Sequence, residues 1–127
     1  MPATLEHVNF TVPDPEATAA MLGRIFGWKI RWQGSAKNGG HTIHLGGDDT
    51  YLAIYRGPAA PQPLPSDSYS MRGGLNHIGV VVDDLAAVED RVRAEGLAPH
   101  SHADYEPGRR FYFHDRDGIE YEVVAYP

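Results

Sequence analysis

No cysteine occurs in the 127 residues. A disulfide scaffold, a thiolate nucleophile and a Cys-ligated zinc are excluded, and the cytoplasm is the expected compartment. Cations are scarce: 11 Lys and Arg against 17 Asp and Glu leave a net charge of −6. With no basic run, nucleic acid and membrane surfaces are poor partners, and a small molecule is the expected one. No apolar stretch is long enough to span a bilayer, and the first residues, Met1-Pro2-Ala3-Thr4-Leu5-Glu6, lack the basic start and apolar core of a signal peptide. What is present is globular in character: 42% hydrophobic residues and one domain's length of chain. The unusual count is seven histidines. Without Cys, any metal site must be built from imidazole and oxygen donors.

The chain repeats itself at a shift of seventy residues. Leu5, His7 and Val12 fall on Leu75, His77 and Val82. Asp14 and Ala17 fall on Asp84 and Ala87, His44 on His114, and Tyr51 on Tyr121. A period this long signals two copies of one supersecondary unit rather than a solenoid. The expected organisation is a single domain over 1–127, with module one at 1–56, a connector at 57–74 and module two at 75–127. Pro58, Pro61, Pro63 and Pro65 stiffen the connector against helix and strand.

Each module reads as β-α-β-β-β, an α+β fold. Residues 5–12 alternate as a strand, Asp14 caps a helix with Pro15 at its first position, and Gly27 ends it. Ala17, Met21 and Ile25 are the expected apolar stripe. Strands follow near 29–33, 41–45 and 50–56. In the second copy 75–82 is a strand, and Asp84 caps a helix with Leu85, Val88 and Val92 inward and its end at Gly96. Strands come near 98–102, 109–114 and 119–125.

Alternation sorts the strand side chains onto two faces. Val8, Phe10, Ile43, Leu45, Ile78, Val80, Phe111, Phe113, Tyr121 and Val123 belong to an apolar face under the helices. The opposite face gathers His7, Asn9, His44, His77, Arg110, Tyr112, His114, Glu120 and Glu122. A solvated sheet face would collect Lys, Ser and Thr; this one collects imidazoles, a phenol and carboxylates, as a cavity wall does.

His7 and His77 hold the same position in the two copies, and Glu122 shares their face on a neighbouring strand. If the copies pair about a twofold axis, two imidazoles and one carboxylate form a facial triad. Such a triad suits Fe2+, Mn2+, Zn2+ or Ni2+ and leaves positions open for substrate. The alternative is a pair of hydrogen-bonded sheet histidines with no metal. Tyr112, His44 and His114 are candidate catalytic groups, and Asn9, Arg110 and Glu120 candidate substrate contacts. Trp28 and Trp32 are expected to pack the edge of module one, and Asp115-Arg116-Asp117-Gly118 to form a turn.

Two such modules, a His early in each first strand, and the run Asp115-Arg116-Asp117-Gly118-Ile119-Glu120-Tyr121-Glu122 resemble the vicinal oxygen chelate superfamily. That superfamily spans glyoxalase I, extradiol dioxygenases, fosfomycin-resistance transferases, methylmalonyl-CoA epimerase and bleomycin-resistance proteins. The resemblance implies curved sheets around a cavity and one divalent metal on His7, His77 and Glu122. It also implies a homodimer that can trade modules, so that His7 of one chain meets His77 and Glu122 of another.

Departures from the subfamilies narrow the reading. Glyoxalase I and the epimerase carry a fourth ligand on the last strand of the first half, where the seventy-residue shift places Leu52. The dioxygenase-like run Phe111-Tyr112-Phe113-His114-Asp115 lacks the usual Pro, replaced by Arg116. Its preceding His would have to be His102, through an altered loop at Pro107-Gly108. A phosphonate pocket would have to use Arg109 and Arg110. The sequence therefore points to a metal-dependent enzyme of lyase or dioxygenase type, not a true glyoxalase I. The alternative is a metal-free binder of the bleomycin-resistance kind.

Overall fold

A carboxylate opens each helix. Asp14 Oδ1 accepts the Ala17 N–H at 3.1 Å and Asp84 Oδ1 accepts the Ala87 N–H at 3.0 Å. Each such cap is worth about 1 kcal/mol. In the computed structural model, which describes residues 1–105 and 108–127, α1 runs Pro15–Phe26 and α2 runs Leu85–Ala94. Gly27 ends α1 at φ 77, a left-handed conformation open to glycine. The inward stripe of α1 is Thr18, Met21, Leu22 and Ile25. Ala17, expected in that stripe, is exposed. In α2 the inward residues are Leu85, Val88 and Val92, as the spacing predicts.

The strands are β1 (His7–Thr11), β2 (Lys29–Ser35), β3 (His41–Gly46) and β4 (Tyr51–Arg56), then β5 (Ile78–Val81), β6 (His100–Tyr105), β7 (Gly108–His114) and β8 (Glu120–Ala125). Pro107, in the loop on which a dioxygenase-like His102 would depend, lies outside the described residues. The chain divides into two compact units, Met1–Pro63 and Leu64–Pro127, so the proline-rich connector is split between them. Its second part holds a short 3-10 turn, Ser68–Ser70, where no helix was expected. Asp67 caps this turn, which is too brief to register as a periodic pattern.

Each unit is a four-stranded mixed sheet with one helix, the α+β fold expected from the sequence. The first has order β1-β4-β3-β2 and the second β5-β8-β7-β6. In each the edge strand is parallel to its neighbour, β1 to β4 and β5 to β8, and the rest is antiparallel. Helix α1 packs on β3 and β4, and α2 on β7 and β8. Ile43, Leu45, Leu52 and Ile54 form the core of the first unit; Phe111, Phe113, Tyr121 and Val123 form that of the second. The Asp115 turn is built from within. Asp115 Oδ1 accepts the Asp117 and Ile119 N–H groups at 2.9 and 3.0 Å, and Oδ2 accepts the buried Tyr121 hydroxyl at 3.1 Å.

Strand register corrects the gapless repeat. Helix α1 has 12 residues and α2 has 10, so beyond the helices the equivalence drops from seventy to sixty-eight. The β7–β8 turn then has one residue more than the β3–β4 turn, which restores sixty-nine. In the first unit Ala53 pairs with Asn9 and His44, and His44 with Trp32. In the second, Glu122 pairs with Gly79 and Tyr112, and Tyr112 with His100. The equivalents are therefore Ala53 and Glu122, His44 and Tyr112, Trp32 and His100, and Tyr51 and Glu120. Leu52, expected opposite Glu122 in the repeat, matches the buried Tyr121 instead and belongs to the core.

Candidate functional site

Strand parity puts Arg110 and Tyr112 of β7 and Glu120 and Glu122 of β8 on the face of the second sheet away from α2. Glu122 is gripped on one oxygen: Arg110 Nη1 and the Tyr112 hydroxyl each donate to Oε2 at 2.8 Å. Its other oxygen, Oε1, lies 3.4 Å from His77 Nε2. Burial pushes the Glu122 carboxyl up, but the bonds from Tyr112 and Arg110 and the charges of His77 and Arg110 outweigh it and hold it low. Glu122 is thus a carboxylate at neutral pH.

Behind His77 stands Tyr69 of the connector turn. Its hydroxyl is 3.1 Å from His77 Nδ1 and donates to Glu120 Oε2 at 2.5 Å. That bond to Glu120, helped by burial, pushes the Tyr69 phenol up to about 12. Glu120 Oε1 is 3.4 Å from His114 Nε2, and His114 Nδ1 meets His100 Nε2 at 3.0 Å. His100 stacks on His114 at 5.0 Å. A contiguous polar chain runs from Arg110 through Glu122, His77, Tyr69, Glu120 and His114 to His100.

The first sheet carries rings at the equivalent places. His7 stacks on Tyr51 at 4.9 Å, Tyr51 on His44 at 4.4 Å, and His44 leans on the half-exposed Trp32 at 5.1 Å. Arg31 lies over the Tyr51 ring at 4.7 Å, a cation–π contact. Glu6 Oε1 accepts from the Tyr51 hydroxyl and meets His7 Nδ1, both at 2.9 Å, and these bonds hold its carboxyl low. Burial, then the His7 and Arg31 charges, push His44 down, which keeps its ring neutral.

Of the sequence candidates, the second unit brings together His77, Glu122, Glu120, Tyr112, Arg110 and His114, and the first unit brings together His7 and His44. Asn9 is exposed on the His7 face, paired in register with Ala53. The Tyr112 proton goes to Glu122, so this residue aims the carboxylate. Arg109 and Arg110 do not form one cationic pocket. They alternate faces, and Arg109 lines a surface groove with Asp83, Asp84 and Asp104. His102 pairs with Glu89 of α2 at 3.1 Å and stacks on Phe111, on the helix side. The irregularity between His100 and Ala103, with Ser101 at φ 56, turns His100 to the site face instead. Trp32, expected at a packed edge, stands half-exposed beside His44. Sequence reasoning missed His100, Tyr69, Glu6 and Arg31. A register drawn through the shorter α2 would have found His100; no periodic signal marks Tyr69.

Among the described residues no group of three or more His, Asp or Glu side chains is arranged to hold a metal ion. His77 and Glu122 nevertheless fit as two donors. A separation of 3.4 Å is long for a hydrogen bond. It matches two ligands each about 2.1 Å from one ion at a tetrahedral angle.

Comparison with known proteins bears on this geometry. The profile of the Glyoxalase/Bleomycin resistance protein/Dioxygenase superfamily matches residues 4–123. A glyoxylase/bleomycin resistance protein/dioxygenase domain from Frankia sp. EAN1pec is 21% identical, with TM-score 0.83 over 100% of both chains. TnmS3, an antibiotic binding protein from Streptomyces sp. CB03234, is 19% identical with TM-score 0.76, covering 99% of this chain and 98% of that one. A variant of the fosfomycin resistance protein FosX from Listeria monocytogenes is 20% identical with TM-score 0.70, covering 98% and 93%. That protein was crystallised with Mn(II) and 1S,2S-dihydroxypropylphosphonic acid. No curated protein matches the chain.

Proposed function

The chain belongs to the Glyoxalase/Bleomycin resistance protein/Dioxygenase superfamily, and on that premise we propose that it is a divalent-metal-dependent enzyme acting on a small substrate that binds through two oxygens. The observation that carries the proposal is the pair His77 Nε2 and Glu122 Oε1, 3.4 Å apart, with the far oxygen of Glu122 held by Arg110 and Tyr112. His77 and Glu122 would hold the ion, with His7 as third ligand on the strength of its matching repeat position. The metal would be Fe2+, Mn2+, Zn2+ or Ni2+, and when bound it supplies Lewis-acid polarisation of a substrate oxygen.

The chain's own groups do the rest. Arg110 and Tyr112 keep Glu122 ionised and aimed. His114, backed by Glu120 and His100, holds and passes a proton at its ring nitrogens. His44, kept neutral, accepts a hydrogen bond or a proton from substrate. Asn9 of the first unit and Glu120 of the second are the substrate contacts in this reading. The activity is not that of glyoxalase I. The position in the first unit equivalent to Glu122 is Ala53, whose methyl group neither binds metal nor moves a proton.

Among the described residues no helix is long and apolar enough to cross a membrane. The proposal places the protein in the cytoplasm, in keeping with its cysteine-free sequence, and makes it a homodimer whose chains can trade modules, as the family resemblance implies. Metal analysis and calorimetric titration of untagged protein with Mn(II) and Zn(II) test the reading. One ion per chain is expected, with His77→Ala, Glu122→Ala and His7→Ala each losing most of the affinity. Absence of stoichiometric binding would overturn it. That outcome would favour the rival, a metal-free small-molecule binder, for which the ring row of His7, Tyr51, His44 and Trp32 offers stacking surface.

A further inference from the structure

The proline-rich connector joins the two strand-and-helix copies, yet its second part is ordered toward the site. Asp67 caps the Ser68–Ser70 turn. Its Oδ1 accepts the Tyr69 N–H at 3.3 Å, and its carbonyl accepts the Ser70 N–H at 3.0 Å and the Ser70 hydroxyl at 2.9 Å. Gly74 closes the segment so tightly that any Cβ there would collide with the Ser68 carbonyl. The turn thereby presents a tyrosine that is 57% exposed. A half-exposed phenol gains little from burial, so its packing does not explain its place. Its hydroxyl explains it, being tied to both His77 and Glu120.

We infer that Tyr69 is a positioning residue of the proposed metal site, fixing which nitrogen of His77 carries the proton. The inference rests on the metal reading of His77 and Glu122. The argument is one of donors and acceptors. The Tyr69 hydroxyl donates its one proton to Glu120 Oε2 at 2.5 Å. The Tyr69 oxygen can then only accept toward His77 Nδ1, 3.1 Å away. In the neutral ring Nδ1 therefore carries the proton, and Nε2, beside Glu122 Oε1, is the unprotonated nitrogen. An unconstrained imidazole prefers its proton on Nε2, where it would block a metal. Glu120 Oε2 itself lies 3.5 Å from His77 Nδ1, and the shorter route through the Tyr69 phenol lets this carboxylate do what one bonded directly to a metal-ligating histidine does. Removing such a partner typically costs 10–100-fold in metal affinity.

The test compares the wild-type chain with Tyr69→Phe, and with Tyr126→Phe as a control at a comparably exposed tyrosine outside the site. Long-range 15N–1H spectra of the metal-free proteins at pH 8 read the His77 tautomer, with the His77 signal assigned by its loss in His77→Gln. Nδ1–H is expected in wild type and Tyr126→Phe, with a shift toward Nε2–H in Tyr69→Phe. Titration with Mn(II) alone should show affinity about 10–100-fold weaker for Tyr69→Phe and unchanged for Tyr126→Phe. Nε2–H or doubly protonated His77 in wild type, or the same tautomer in Tyr69→Phe, overturns the inference. A wild-type chain that binds no Mn(II) but shows the tautomer shift overturns the metal reading and leaves the role of Tyr69 supported.

Discussion

Replacing Arg110 by Met tests how the site holds its carboxylate. The side chains of Arg110 and Glu122 are only 12% and 16% exposed, and Nη1 donates to Oε2 at 2.8 Å. Met keeps much of the stem and removes the guanidinium. Breaking a fully buried ion pair by removing one partner costs about 3–5 kcal/mol. Here Tyr112 still donates to the same oxygen and each group keeps some water, so about 2–3 kcal/mol is expected. A domain of this size loses about 3–5 °C of Tm per kcal/mol, which makes the drop about 6–15 °C. Urea unfolding at pH 7 measures the free energy directly. The decisive comparison repeats the substitution in a Glu122→Gln background. With no carboxylate to strand, Arg110→Met should then cost less than about 1 kcal/mol, a coupling of about 1–2 kcal/mol. Equal costs in the two backgrounds would show that Arg110 stabilises the fold through its stem and not through Glu122.

Other perturbations probe separate links of the argument. Leu22→Ala, at a fully buried position of α1, should cost about 2–5 kcal/mol in urea unfolding. With Ni(II), Zn(II) or Mn(II) supplied, turnover of the methylglyoxal–glutathione hemithioacetal should be poor, because Ala53 stands at the fourth-ligand place; efficient turnover would refute the register. Asp115 carries a pH signature: burial pushes its carboxyl up despite the bonds from Ile119, Tyr121 and Asp117. The folded chain then holds this proton more tightly than the unfolded one, so its contribution is fully present below the unfolded value near 3.8 and fades as pH rises through the folded one. The stability of wild type relative to Asp115→Asn should therefore fall as pH rises from about 3.5 to 6, and a difference that grows with pH would contradict it.

Much of the fold was legible because each element carries its own local signal. Asp14 with Pro15 and Asp84 with Leu85 announce two helix starts, and alternation in 109–114 and 119–125 separates core from site face with every named side chain correctly sided. The strand ends drifted where the deciding contact is tertiary. Leu5 and Leu75 look like strand residues, but only from His7 and Ile78 does the chain pair with β4 and β8. The repeat misled in a specific way. Identities at His44 with His114 and Tyr51 with Tyr121 favoured a gapless alignment, while α2 is two residues shorter than α1. A deletion inside a helix rotates everything after it, and in a strand a one-residue error exchanges core and site faces. That is how Leu52, a core residue, came to stand for Ala53.

The site divides along the same line. His77, Glu122, Glu120, Arg110 and Tyr112 were readable because strand parity gathers them on one face, and parity is a property of sequence. His100 was not, because the irregularity before Ala103 breaks the count; His102, the histidine a dioxygenase-like run would have to use, in fact meets Glu89. Tyr69 was out of reach for a deeper reason. Its turn is held by hydrogen bonds from Asp67 and by the close approach at Gly74, none of which has a period. Proline spacing in 57–65 made the whole connector look like a spacer. Yet a loop is free to place one side chain wherever its backbone bonds allow. Glu122 comes from β8 and His77 from the residue just before β5, whereas Tyr69, whose hydroxyl meets His77, comes from the segment whose pattern carried no information about it.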